Sequence, residues 1–155
     1  HCTFRVLAIT QGSPEMDIEK VRILDFFVAF PTALLEMRMP QGLMRLRSRM
    51  KAADNPYRNP VSPKRTFNDM QQVQIAALAT LGASGFLDAE KLKQGLVVRT
   101  SKDVPSDLRA LAEGFLKKET EIASLIISSL REIPTLGVNG LKDRSGLLEY
   151  RYDNV

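Results

Sequence analysis

The chain has 155 residues, 44% hydrophobic and 26% charged, which suits one domain with its own core, or one domain with an extension. Tryptophan is absent and cysteine occurs once, at Cys2, so an internal disulfide framework is excluded and the core must come from Leu, Ile, Val, Phe and Met. The net charge of +4 is uneven: between Met37 and Asn68 the eight cations Arg38, Arg45, Arg47, Arg49, Lys51, Arg58, Lys64 and Arg65 meet only Asp54, a local +7 that leaves −3 elsewhere.

A local basic segment speaks of a partner surface rather than of fold. The longest uncharged runs, near 26–35 and 122–130, fall far short of the roughly 20 residues that span a bilayer. No stretch has signal-peptide character, and a lone cysteine fits a reducing compartment, so a cytoplasmic protein is expected. The chain begins at His1, which reads as the edge of a longer chain.

Taken in order, residues 3–10 (TFRVLAIT) have the β-branched and aromatic content of a strand. Ser13-Pro14-Glu15 then reads as a helix start, with a capping serine, proline at the first helical position and an acid in the first turn. Pro31 ends that helix near Ala29. Its second half, ILDFFVAF, is apolar at nearly every angle, the mark of a helix enclosed on several sides and so of the central core helix.

Residues 32–53 read as one or two helices broken around Pro40-Gly42. Leu43, Leu46 and Met50 share one face, and Arg45 and Arg49 lie opposite at a four-residue step. No acid is interspersed, unlike an ordinary solvated face, which mixes signs. Residues 54–64 hold three prolines and read as a loop. Thr66 then caps a helix whose stripe is Met70, Val73, Ala77, Leu78 and Leu81, with Gly82 as its stop. Gly85-Phe86-Leu87 and Leu96-Val97-Val98 follow as two short apolar runs joined by a charged loop, which is a two-stranded ribbon.

Residues 105–131 predict one long helix of roughly 26 residues, about 40 Å. Its stripe is Leu108, Leu111, Ala112 and Phe115, then Ile122, Leu125, Ile126 and Leu130. Lys118 and Glu119 interrupt it, which divides it into two packing patches or marks a wet edge of one. A turn-rich stretch, 137–146, leads to an alternating segment, 147–153 (LLEYRYD), read as a terminal strand that pairs with 3–10 or with another chain.

Helix followed by returning ribbon is the second half of a winged helix-turn-helix. The expected fold is therefore mainly α with a small β part. A winged-helix-like domain spans 1–104, with its N-terminal strand and basic segment. The long helix and C-terminal strand span 105–155, packed on the first part or on a partner subunit.

Chemistry is conspicuously thin. His1 and Cys2, adjacent at one end, neither close a tetrahedral zinc site nor form a nucleophile–base pair. Gly82-Ala83-Ser84-Gly85 lacks the Lys-Ser/Thr of a phosphate-cradling loop. No catalytic, cofactor or metal residue is assigned, and no enzymatic activity is expected. The candidate contact residues, toward nucleic acid or a partner, are Arg45, Arg47, Arg49, Lys51, Arg58, Lys64 and Arg65. Were 66–80 a recognition helix, Asn68, Gln71, Gln72 and Gln74 would point outward, and such amides read adenine edges. That helix carries no Lys or Arg, and Asp69 would face phosphates. The cations would have to come from the basic segment or from Lys91, Lys93 and Arg99.

The stretches MDIEKVRILDFFVAFP (16–31), LMRLRSRM (43–50), TLGASGFLD (80–88) and GLVVRT (95–100), in this order, resemble the small middle component of bacterial ABC-three-component defence operons, a group overlapping Lamassu-type antiphage systems. The similarity covers about two thirds of the chain and carries no catalytic signature. It implies a non-enzymatic, winged-helix-like accessory subunit that joins an SMC/Rad50-like ATPase to an effector, often a nuclease, in a complex sensing foreign DNA. Double-stranded DNA would be met through the complex, and no membrane partner is implied. A stand-alone winged-helix transcriptional regulator is the competing reading, and an enzyme the third.

Overall fold

The computed structural model describes residues 1–13, 15–52, 59–110 and 120–149. The fold is mainly helical, with a small antiparallel sheet. At its centre stands α2 (Ile18–Ala29), and Val21, Ile23, Leu24, Phe26, Phe27 and Val28 are all buried on it. This is the enclosed core helix expected from ILDFFVAF, although its start differs. Asp17 is the cap, accepting from the Lys20 amide at 2.6 Å. The Ser13 hydroxyl instead donates to the Ile9 carbonyl. The Phe26 ring lies 5.4–5.8 Å from those of Phe27, Phe30 and Phe67, two of the three edge-on, a favoured aromatic geometry.

The expected N-terminal strand is a helix, α1 (Cys2–Thr10). Its buried residues, Cys2, Val6, Leu7, Ile9 and Thr10, recur at helical spacing and pack on α2 and on α5 (Gln71–Ala83). β-Branched content favours a strand only weakly, and here a core-facing helical stripe overrides it. The pairing of 3–10 with the C-terminal segment therefore does not occur. At that other end, residues 147–149 are not strand, and 150–153 lie outside the described residues.

The sheet is assembled from distant segments. β1 (Met16–Asp17) pairs antiparallel with β2 (Leu96–Val97), Met16 opposite Val97. Next to it the chain folds back, but not as the ribbon of 85–87 with 96–98 that was expected: Leu96 and Val97 pair with β1 instead, Leu87 forms an isolated bridge with Arg99, and the Asp88 and Thr100 amides donate to the Val98 and Phe86 carbonyls. The connection expected to be a loop is a short helix, α6 (Ala89–Lys93), capped by Asp88.

The helix expected from Thr66 begins earlier and is divided. α4 (Pro63–Asp69) is capped by Ser62 with proline at its first position, and α5 (Gln71–Ala83) follows after Met70. Gly82 lies inside α5 rather than ending it. The stop is Gly85, at φ +75, where the Phe86 amide reaches back to the Leu81 carbonyl at 2.9 Å and the Gly85 amide to that of Gly82 at 3.0 Å. These two bonds are the Schellman closure, which wants glycine at the left-handed position.

Two 3-10 turns, Pro31–Leu35 and Gln41–Leu43, replace the first of the helices expected over 32–53, and α3 (Met44–Ala52) is the second. Of the expected long helix, 106–110 and α7 (Thr120–Arg131) are helical. Leu111, Ala112, Phe115, Lys118 and Glu119 lie outside the described residues. Ile126 and Leu130 are fully buried where α7 packs on α2. The turn-rich stretch contains one more helix, α8 (Leu141–Ser145), pinned by the Leu141 amide to the Pro134 carbonyl at 2.7 Å and by Asp143 to Arg38.

Gly140 is required there by close approach. A Cβ at that position would stand 2.4 Å from the Leu136 carbonyl oxygen, a backbone atom that cannot swing away. Gly140→Ala is expected to lose about 1–3 kcal/mol of stability, the usual penalty of overpacking. A urea titration reads this as a lower midpoint, and an unchanged midpoint would mean that the 135–140 turn relaxes freely.

Candidate interaction surface

Three arrangements stand out, the first built on α3. Leu46 and Met50 are buried and hold the helix against the Pro31–Leu35 turn and α7. With that face fixed, a residue step of about 100° places the rest. Arg45 and Arg49, both exposed, form one flank. Half-buried Arg47 and exposed Lys51 form the other. Between them lie Met44, 51% exposed, and Ser48, whose hydroxyl turns back to the Met44 carbonyl at 3.2 Å. Among the described residues none of the four cations makes an ion pair.

The rest of the basic segment divides. Arg38 donates to Asp143 and to its carbonyl, so it serves the fold. Lys64 meets Glu149 at 3.2 Å across an exposed pair, which contributes little. Arg65 is exposed, and Arg58 lies outside the described residues. The structure thus brings Arg45, Arg47, Arg49 and Lys51 together on one helix.

The second arrangement is the outer side of α5, a helix without a single charged residue. Val73 (60% exposed) and Ile75 (43%) stand out beside exposed Gln71, Gln72, Ala76 and Ala79. Val73 was expected inside and Gln74 outside, and the structure reverses them. The inward stripe is Gln74, Ala77, Leu78 and Leu81, with the glutamine taking the first place because its partners lie beneath it.

Those partners are the third arrangement, a polar cluster in the core. The fully buried Asp25 carboxylate accepts from Arg5 Nε at 2.7 Å and Nη2 at 3.3 Å, from Gln74 Nε2 at 3.0 Å and from the Cys2 thiol at 3.6 Å. Gln74 also donates to the Arg22 carbonyl and accepts from Arg22 Nε, both within 3.1 Å. The Arg22 guanidinium lies 4.7 Å over the Phe67 ring, whose π-face meets part of its charge. Burial lowers the Arg22 pKa, partly offset by Glu19. Burial opposes the charge on Arg5 as well, yet its bonds to Asp25 outweigh that and raise its pKa. Burial, with the Asp25 charge, pushes the Cys2 thiol up to about 11.

Residues 1–153 match the family described as ABC-three component (ABC-3C) system Middle Component 5. The chain belongs to that family. Neither the curated proteins nor the solved structures yield a match. Membership gives this middle component an accessory place beside the other components of an ABC-three-component system. Among its described residues no helix is long and apolar enough to cross a membrane, and no cluster of metal-ligating side chains is present.

The polar core of the middle component was not anticipated, since Asp25 falls inside ILDFFVAF, the run read as apolar at nearly every angle. A signal was there: Asp25 interrupts a run of apolar residues, and an acid in such surroundings must find partners.

Asp25→Ala leaves Arg5 half-buried without its counter-ion, so about 3–5 kcal/mol of stability should be lost. Calorimetry or urea unfolding measures it, and a loss below about 1 kcal/mol would show that Arg5 simply turns to solvent. For Cys2, the folded pKa lies above the ordinary 9.0, so the folded state holds the proton more tightly. Its contribution is whole below pH 9 and is lost as pH rises toward 11. Wild type should therefore lose stability faster than Cys2→Ala across that window, and parallel pH profiles would contradict the shift.

Proposed function

We propose that this middle component is a non-catalytic subunit that works by presenting surfaces, joining an SMC/Rad50-like ATPase to an effector nuclease in bacterial defence of the Lamassu type, in the cytoplasm. The observation that carries this is the family match over residues 1–153. The structure adds two surfaces suited to it. The uncharged outer side of α5, with Val73 and Ile75 exposed on its two flanks, offers apolar side chains to a protein partner. The acid-free flanks of α3 offer charge to DNA held by the complex. The segment from α4 to Thr100, helix then returning chain, supports a winged-helix-like description. The sheet differs from a free wing in having β1 along its other edge.

The polar chemistry of the core supports a non-enzymatic role. Asp25, Arg5, Gln74 and the Nε of Arg22 are bonded to one another, while Arg22 Nη2 is buried without a hydrogen-bond partner among the described residues. A stand-alone regulator reading DNA with α5 fares worse. Gln74, one of the four amides that would read bases, is buried, and α5 has no cation to meet phosphate.

Co-expression with the neighbouring operon genes tests the proposal. The middle component is expected to co-purify with the ATPase. Val73→Glu with Ile75→Glu should cut the recovered complex at least tenfold without unfolding the chain, checked by circular dichroism. A chain that runs alone as a stable monomer beside its operon's ATPase overturns the reading.

A further inference from the structure

We infer that α3 seats in the major groove of duplex DNA, with Arg45 and Arg49 on one strand's phosphates, Arg47 and Lys51 on the other's, and Met44 and Ser48 toward the groove floor. This rests on the proposed contact with DNA and specifies its geometry. The two cation rows lie about 160° apart around the helix axis on its solvent side, at about 100° per residue. Within a row the charges are spaced by about 6 Å along the axis, close enough for neighbouring phosphates of one strand.

The dimensions agree. A helix with its side chains is about 10–12 Å across, and the major groove of B-DNA is about 12 Å wide. A cylinder of that size fills the groove and sets each flank against one phosphate backbone. The crest facing the bases, Met44 and Ser48, carries no charge, and the Ser48 hydroxyl is engaged by its own helix at 3.2 Å. It therefore has little with which to read base edges, and the contact is sequence-tolerant.

An acidic protein surface is the other class that a basic helix meets. A single acidic ridge or strand would engage one row and leave the other in solvent. Two rows on opposite flanks, with an uncharged crest between them, fit a ligand with two lines of negative charge. Duplex RNA has two such lines too, but its major groove is deep and narrow and side chains cannot read it. No Asp or Glu lies between residues 37 and 52 to oppose either ligand.

The test is fluorescence anisotropy of the full chain with a labelled 20-base-pair duplex of mixed sequence. Four phosphate contacts give a slope of log K against log salt of about −3.6, at about −0.9 per contact. Arg45→Ala with Arg49→Ala, and Arg47→Ala with Lys51→Ala, should each flatten the slope by about 1.8, roughly a 50-fold loss at 0.1 M salt. Arg45→Lys with Arg47→Lys and Arg49→Lys should retain most binding. Met44→Glu should weaken binding at least tenfold with both rows intact. A duplex whose major groove is filled by glucosylated hydroxymethylcytosine, or a duplex RNA, should bind at least tenfold more weakly.

The failures separate. No binding of the plain duplex at 50 mM salt overturns the DNA contact itself, and the groove geometry with it. Binding that depends on one row, ignores Met44→Glu and accepts the glucosylated duplex leaves DNA contact standing and overturns the seating of α3. If instead the double variants bind DNA normally but lose the ATPase, the face belongs to a protein partner and the inference falls.

Discussion

The structure depends on the carboxylate of Asp25, a charge with no access to solvent at the middle of the central helix. Leaving an ionised carboxylate bare in such a place is far costlier than any single apolar contact can repay. Three elements answer it: α1 with Arg5 and Cys2, α5 with Gln74, and α2 itself through Arg22, which is bonded to the same Gln74. Buried ion pairs often add little net stability over an apolar replacement, because desolvation consumes the attraction. What this one does is exclude alternatives. A slip of α1 by one residue would turn Arg5 away from Asp25, and a rotation of α5 would withdraw Gln74. The apolar contacts around Phe26 and Phe27 supply the larger share of burial energy, but they tolerate such shifts far better than directional bonds do.

This constraint explains where the sequence was legible. A helix buried on all sides shows itself as an unbroken apolar run, so ILDFFVAF could be placed directly. The α3 pattern was equally plain, since Leu43, Leu46 and Met50 sit at three- and four-residue steps with arginines between. The returning chain after α5 was also visible in its two short apolar runs. The failures have a common cause. At Thr3, Val6 and Ile9 local preference pointed to a strand, while the deciding factor was the stripe of Cys2, Val6, Ile9 and Thr10 that packs on α2 and α5. At Val73 and Gln74 hydropathy chose the wrong residue to bury, because a glutamine is the better core residue where an orphaned carboxylate needs a donor.

Boundaries failed for a simpler reason. Ser13, Thr66 and Gly82 each have the right chemistry for a helix end, and so do Asp17, Ser62 and Gly85, three to four residues away. Backbone context chose between them. Asp17 is held as a cap by strand pairing to Leu96, Ser62 has proline at the next position, and Gly85, unlike Gly82, takes the left-handed turn that brings Leu87 beside Arg99. The distinction is invisible in composition, because it is set by what the chain must do next.

The two outward faces follow from the same arrangement. α5 must turn Gln74 inward, so it turns Val73 and Ile75 outward. Its exposed apolar surface is a consequence of satisfying Asp25 rather than a defect of packing. α3 reaches the core by a different route, through Leu46 and Met50 against the Pro31–Leu35 turn and α7. Its arginines are not needed by the fold, whereas Arg38, six residues before α3, is consumed by Asp143. Charge kept off the internal ledger of ion pairs and clustered on one helix raises the local potential without stabilising the chain, and self-repulsion makes it a small cost. The exposed apolar side chains of α5 and the acid-free basic face of α3 are thus anchored through different elements, α5 on α1 and α2, α3 on the Pro31–Leu35 turn and α7.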